Sequence, residues 1–326
     1  DHRDLHSFPT RRSSDLPGAG KSTGMAAGAA IAIVRHQLNA HRQLVLVTFT
    51  RSAAANLKAK VQRYLRGLQF PLNSFVLYTL HGLALTLATR NPDLSGLSLD
   101  TLTLLTPTHN NRLVRTCVER WIVENPELYQ RLLEGRQFDG EETERLRRQS
   151  TLRTEILPQL ATTMIHEAKS SGLLPNALMQ LAQTVTRSLA DDLEDYDVLT
   201  IAAGLYEQYQ TLLRQRHLID YDDMILAALR VLDDEAARQF WQRRVFAVFE
   251  DEAQDSSPLQ TRLLKTLAAD AKQPEAPLNL VRVGDPNQAI NSTFTPADPV
   301  FFNQFCDRAQ QQQRLVVMAQ AGRSSA

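Results

Sequence analysis

The sequence predicts an α/β fold: a parallel, doubly wound sheet interrupted by an all-helical insert. Three observations carry that expectation. Short apolar runs recur along the chain at Leu44–Phe49, Phe75–Thr79, Val245–Phe249, Leu278–Val283 and Arg314–Met318, as strands buried on both faces should. Helical patterns alternate with these runs, which argues for parallel strands joined by crossover helices. Residues 91–215 break the alternation. They are rich in Leu, Arg, Glu and Gln, with helical periodicity over Asn110–Leu133, Gly140–Ser170 and Asp195–Arg216.

Composition sets the frame. The chain has 326 residues, 43% apolar and 22% charged, enough for two or three compact units with a sizeable core. No uncharged apolar run reaches the length of about 18 residues that a membrane helix needs. The Ala-rich stretch Met25–Val34 is too short and has no signal-cleavage pattern. Cys117 and Cys306 stand far apart and offer neither a disulfide framework nor zinc spacing, so a reducing, cytoplasmic setting is expected. Zero net charge does not by itself point to nucleic acid, although a narrow basic groove can be balanced by acid elsewhere.

Taken in order, residues 1–16 are polar and aperiodic and read as a disordered or non-native leader. No buried strand is expected among them. A Gly-rich turn from Pro17 then enters a helix over about 22–38. Thr50 and Ser52 can cap the next helix, whose Ala54, Leu57, Val61 and Leu65 share one face. A further helix should begin near His81.

The turn Pro17-Gly18-Ala19-Gly20-Lys21-Ser22-Thr23 is the first chemical signal. Its backbone N–H groups and the following helix N-terminus suit phosphates, with Lys21 reaching the β- and γ-phosphates and Ser22 ligating Mg²⁺. Asp15 stands where the motif's first glycine would fall. Either the loop is defective or residues 1–16 are foreign to the rest of the chain, and the coherence from Pro17 onward favours the second. A second signal, Glu250-Asp251-Glu252-Ala253-Gln254-Asp255, ends an apolar strand. Asp251 at such a strand end can hold Mg²⁺, and Glu252 can orient and deprotonate an attacking water. The bland alternative is an acidic surface turn. Val283–Gln288 is the third, with Gln288 able to sense a γ-phosphate; on its own it would be an ordinary Asp-Pro turn.

Together these segments resemble the UvrD/Rep-type helicases of superfamily 1. Pro17–Thr23 resembles motif I, Val47–Ala54 motif Ia, Thr79-Leu80-His81-Gly82 motif Ib, and Asp251–Asp255 with Gln260 motif II. Val283–Ile290 resembles motif III, Leu218–Met224 the DFDDL segment, and Gly322-Arg323-Ser324 the end of motif IV. The resemblance covers about 17–90 and 215–326; the helical middle matches by position. It implies a RecA-like P-loop NTPase lobe 1A over 17–90 and 216–305, a helical insert 1B over 91–215, and the start of a second lobe, 2A, over 306–326. It also implies ATP and Mg²⁺ as cofactors, single-stranded and duplex DNA as partners, no membrane partner, and 3′-to-5′ translocation that unwinds duplex DNA in repair or replication. The catalytic set would be Asp251, Glu252, Gln288 and Arg323, the last approaching the γ-phosphate from the second lobe. Gly18, Ala19, Gly20, Lys21, Ser22, Thr23 and Gln254 would hold the nucleotide. Ser22 and Asp251 would hold the metal, and Phe49, Thr50, Arg51 and His81 would touch the strand.

The chain departs from the family at Asn291 and Thr293, where a stacking Tyr and a Trp or Phe are usual; Phe294 could substitute. The family's adenine-binding glutamine element and its motifs V and VI have no counterpart in these residues. A lobe carrying motifs I to IV alone is expected to hydrolyse ATP poorly. Three other readings remain: the helicase half of a RecB-like helicase–nuclease, a DNA-binding remnant without turnover, and a P-loop ATPase acting on other cargo. Among lesser signals, Arg145, Arg147, Arg148 and Arg153 read as a solvated helix face beside glutamates, Asp191–Asp195 as surface, and Trp121, Phe240, Trp241 and Cys117 as core.

Overall fold

A computed structural model describes residues 10–13, 20–97, 102–134, 141–188, 198–273, 275–285 and 299–318. The chain divides into two compact units, Asp1–Leu97 with Met224–Ala326, and Ser98–Asp223.

The first unit is a parallel sheet with flanking helices. Its elements are β1 (Thr10–Ser13), α1 (Lys21–Arg35), β2 (Gln43–Thr48), α2 (Arg51–Gly67), β3 (Phe75–Thr79), α3 (Leu80–Arg90) and α4 (Pro92–Ser95). After the insert come most of α11 (Tyr221–Asp233), then α12 (Glu235–Arg244), β6 (Val245–Asp251), α13 (Pro258–Ala268), β7 (Leu280–Gly284), α14 (Pro299–Gln311) and β8 (Leu315–Met318). Among the described residues the sheet has six strands in the order β3-β2-β6-β7-β1-β8, all parallel. Leu44, Val45, Leu46 and Val47 of β2 and Phe246 to Phe249 of β6 are all buried, which explains their unbroken apolar runs. Ala26, Ala29, Ala30 and Ile33 of α1 pack with Leu57, Val61 and Leu65 of α2 in the same core cluster as Leu44, Leu46 and Phe249. Helix starts follow local chemistry. Thr50 accepts from the Ala53 N–H, and Ser257 and Gln260 form a reciprocal capping box around Pro258.

The second unit contains β4 (Thr103–Leu104), α5 (Pro107–Glu124), α6 (Pro126–Glu134), α7 (Glu142–Thr151), α8 (Leu157–Ser170), α9 (Pro175–Ser188), α10 (Val198–Gln215) and β5 (Leu218–Ile219). A π-helical turn, Leu152–Ile156, joins α7 to α8. Its core gathers Cys117, Trp121, Leu157, Ala161, Ile165, Tyr206 and Leu213. Gly204 lets Trp121 lie against α10, since a Cβ there would come within 2.6 Å of the indole nitrogen.

Several expectations are corrected. Residues 10–13 form a strand between β7 and β8, where no strand ahead of the Gly-rich turn was expected. A parallel ladder bonds through backbone N–H and C=O groups, which a polar sequence supplies as well as an apolar one. The insert runs from Ser98 to Asp223 rather than 91 to 215. β4 pairs with β5, and the start of α11 bonds back to α8. Residue 306 does not open a new lobe. α14 continues through it with Phe302 and Cys306 buried on one face, and β8 pairs with β1 in the first sheet. The apolar pattern over Asn110–Leu133 is two helices, broken at Asn125-Pro126. Phe240 is 54% exposed rather than core, its ring under the Arg244 guanidinium. Trp121, Trp241 and Cys117 are buried. Asp191–Asp195 lie outside the described residues.

Candidate nucleotide site

The carboxyl ends of β2, β3, β6 and β7 lie along one edge of the sheet, because the strands are parallel and in register: Thr48 opposite Thr79, Val47 opposite Glu250, and Asp251 opposite Val283. Edges of this kind are where doubly wound sheets take ligands. Gly20 caps α1 with φ 78°, a left-handed conformation suited to glycine. The next two residues point at the end of β6. Lys21 Nζ lies 3.2 Å from Glu252 Oε2, and the Ser22 hydroxyl donates to Asp251 Oδ2 at 3.1 Å. Residues more than two hundred positions apart thus meet at one point.

Electrostatics differ across the pair. Asp251 is 3% exposed; burial, then the Glu252 charge, push its carboxyl up to about 6, against the Ser22 hydroxyl bond. Glu252 is more open, with 39% of its side chain exposed. Its backbone is left-handed, φ 52° and ψ 45°, an uncommon state for a residue with a side chain. Gln254 is 2% exposed and bridges two strand ends. Its amide nitrogen donates to Glu252 Oε2 at 2.9 Å, and its oxygen accepts from the Asp285 N–H at 3.0 Å. Gly284 makes room for this, since a Cβ there would come within 2.6 Å of Gln254 Oε1. The hydroxyl and carboxylate oxygens of Ser22 and Asp251 are the hard donors that Mg²⁺ takes.

Thr23 faces elsewhere: it is exposed and accepts from Lys60 Nζ at 3.1 Å. Phe49, Thr50 and Arg51 follow β2, and His81 follows β3, so the four stand beyond adjacent strand ends. Thr50 and Arg51 are exposed, whereas Phe49 and His81 are half-buried. The Thr50 hydroxyl also caps α2. Gly18, Ala19, Gln288, Asn291, Thr293, Phe294 and Arg323 lie outside the described residues.

Sequence reasoning missed the network beneath this turn. Arg282 of β7 and Glu250 of β6, 2% and 1% exposed, pair at 2.5 Å. Arg282 also donates to the Ala253 carbonyl and the Thr261 hydroxyl, both at 3.2 Å, while Ser256 donates to Glu250. The only signal in one dimension was a lone Glu ending FAVFE and a lone Arg inside LVRV, charges in runs otherwise buried. The basic stretch in the insert is a solvated face: Arg148 pairs with Glu144 at 2.9 Å, and Arg153 with Glu119.

Residues 16–310 match the family described as UvrD/REP helicase N-terminal domain. The chain belongs to this family. UvrD-family helicases generically use ATP and Mg²⁺ and act on DNA, and this is a superfamily 1 helicase domain of the RecA-like P-loop class. Similar proteins include an ATP-dependent helicase/nuclease subunit of Latilactobacillus sakei, 31% identical over 39% of this chain and 14% of that protein. ATP-dependent DNA helicase srs2 of Schizosaccharomyces pombe is 24% identical over 84% of this chain and 27% of its own length. ATP-dependent DNA helicase Rep of Buchnera aphidicola is 24% identical over 85% and 36% respectively. The chain of this UvrD/REP domain therefore spans 14% to 36% of the length of these three relatives. Among the described residues, no helix of the domain is long and apolar enough to cross a membrane.

Proposed function

We propose that this UvrD/REP domain is the nucleotide-hydrolysing lobe of an ATP-dependent DNA helicase that moves 3′ to 5′ on single-stranded DNA. The carrying observation is the convergence of Lys21 on Glu252 and of Ser22 on Asp251, at 3.2 and 3.1 Å. Lys21 would leave Glu252 for the β- and γ-phosphates, freeing that carboxylate to take a proton from water. Mg²⁺, held by Ser22 and Asp251, would supply charge neutralisation at the phosphate oxygens. Gln254, tied to both Glu252 and Asp285, suits a group that reports the phosphate's presence from one strand end to the next. Gly18, Ala19 and Gly20 would wrap the phosphates, with Gln288 and Arg323 completing the charge stabilisation. Thr50, Arg51 and His81 would grip the strand backbone, with Phe49 near a base. The division of labour would be lobe 1A for the sheet unit and subdomain 1B for the helical one. The likeness to a helicase/nuclease protein favours a second reading, in which the domain serves a helicase–nuclease.

ATP hydrolysis measured with and without single-stranded DNA tests the proposal. Turnover should rise with DNA. Glu252→Gln should lower it by about 10²- to 10⁴-fold while nucleotide binding persists. Turnover unchanged by that substitution would overturn the assignment.

A further inference from the structure

Away from the strand ends, the first unit holds a pocket of about 320 Å³ between α13 and α14. Among the described residues four cations line it, Arg262, Lys265, Arg282 and Arg308, and no carboxylate does. Arg282 is neutralised by Glu250 from behind, and Arg262 lies 3.7 Å from the exposed Asp233. Lys265 is half-buried and makes no hydrogen bond or ion pair among the described residues. Burial, then Arg308 and Arg282, lower its pKa, as expected of an ammonium beside other cations. The remaining walls are aromatic and hydroxylic: Phe301, 40% exposed, with Phe305, and Thr261 and Thr266.

We propose that this pocket is a second single-strand site, taking one nucleotide of a DNA strand, its phosphate among Lys265, Arg308 and Arg262 and its base against Phe301. The combination decides the class. A phosphate needs cations and hydroxyl donors, while an exposed ring beside them is the platform on which a base stacks. The volume suits a base together with its phosphate rather than a bare anion, being at the lower end of small-molecule sites. An acidic peptide would use the cations but not the ring. That the strand is DNA rests on the proposed function; the pocket's chemistry does not.

The test places a reporter in the pocket. The exposed Phe301 tolerates Phe301→Trp, and a short oligodeoxythymidylate should quench the new fluorescence saturably, while the buried Trp121 and Trp241 contribute a constant background. Adding Lys265→Glu and Arg308→Glu should weaken that quench by about tenfold or more at fixed salt, because two phosphate-facing charges are reversed. In the unsubstituted chain the same oligonucleotide should shield Lys265 from acylation. Three results overturn the site. One is no quench and no shielding while a labelled oligonucleotide still binds in an Arg51-dependent way, which leaves the proposed function standing. Another is equal quenching by oligoglutamate, which carries anions but no base. The third is no DNA binding by any readout, which removes both proposals.

Discussion

Two lysines, one in each unit, pair with carboxylates, and they differ in how far those carboxylates reach solvent. Lys169 on α8 is 1% exposed and held on both sides, by Asp220 at 2.6 Å and Asp223 at 2.7 Å, with the Tyr209 ring 5.2 Å away. Asp220 also accepts from the Tyr209 hydroxyl and caps the Asp223 N–H. Burial alone would depress the ammonium's pKa, but the two carboxylates outweigh it and hold Lys169 above its ordinary value. Asp220 is held below its usual range by the same lysine, while burial and Asp220 raise Asp223. Lys21 instead meets Glu252 at 3.2 Å, a carboxylate with 39% of its side chain open to solvent. A saturated, dry cation cannot leave its partners without exposing buried charge. A cation whose partner is part-hydrated can change partners at lower cost, as the phosphate-binding role proposed for Lys21 requires.

Substitution should break the comparison most sharply at Lys169. Lys169→Met leaves the part-buried Asp220 and Asp223 without their buried cation and should cost about 3 kcal/mol in urea unfolding. Adding Asp220→Asn and Asp223→Asn should recover part of that loss; no recovery would mean that packing, not charge, holds the site. Arg282→Met should be comparably severe, about 3 kcal/mol, because it strands Glu250 and the Ala253 carbonyl. With Glu250→Gln added, stability should return before ATP turnover does, since the turn carrying Glu252 would still lack its anchor. Lys21→Met should cost less in unfolding than Lys169→Met, because Glu252 is part-exposed although Lys21 itself is buried, yet remove nucleotide binding measured by calorimetry. A loss as large as that at Lys169 would erase the distinction.

The smallest effect sharpens the comparison in the insert itself. His166 lies 3.4 Å from Asp222, and that hydrogen bond raises its pKa above 6.5 against the effect of burial. A raised folded-state pKa gives stability that is complete below about pH 6.5 and fades as pH rises through the folded value. Thermal midpoints should therefore fall slightly from pH 6 to pH 8, and His166→Gln should flatten that slope. An unchanged slope would assign the dependence to another group.

Much of the sheet unit was legible in one dimension because parallel strands buried on both faces must be apolar throughout. The runs beginning at Leu44 and at Val245 show this. The meeting of Lys21-Ser22 with Asp251-Glu252 was legible for a related reason, since the phosphate and metal chemistry expected of such turns demands particular side chains at strand ends. The polar strand Thr10–Ser13 was not legible, because its place depends on backbone groups that every sequence shares. Nor was the meeting of Glu250 with Arg282, or of Lys169 with Asp220 and Asp223. Each residue alone is an ordinary surface type, and only burial, which the chain acquires by folding, makes its partner obligatory. The sequence by itself determined the strand–helix alternation and the kinds of chemistry at its turns. The tertiary structure decided which charges lose their water, because only folding sets which side chains are buried and which partners they meet there.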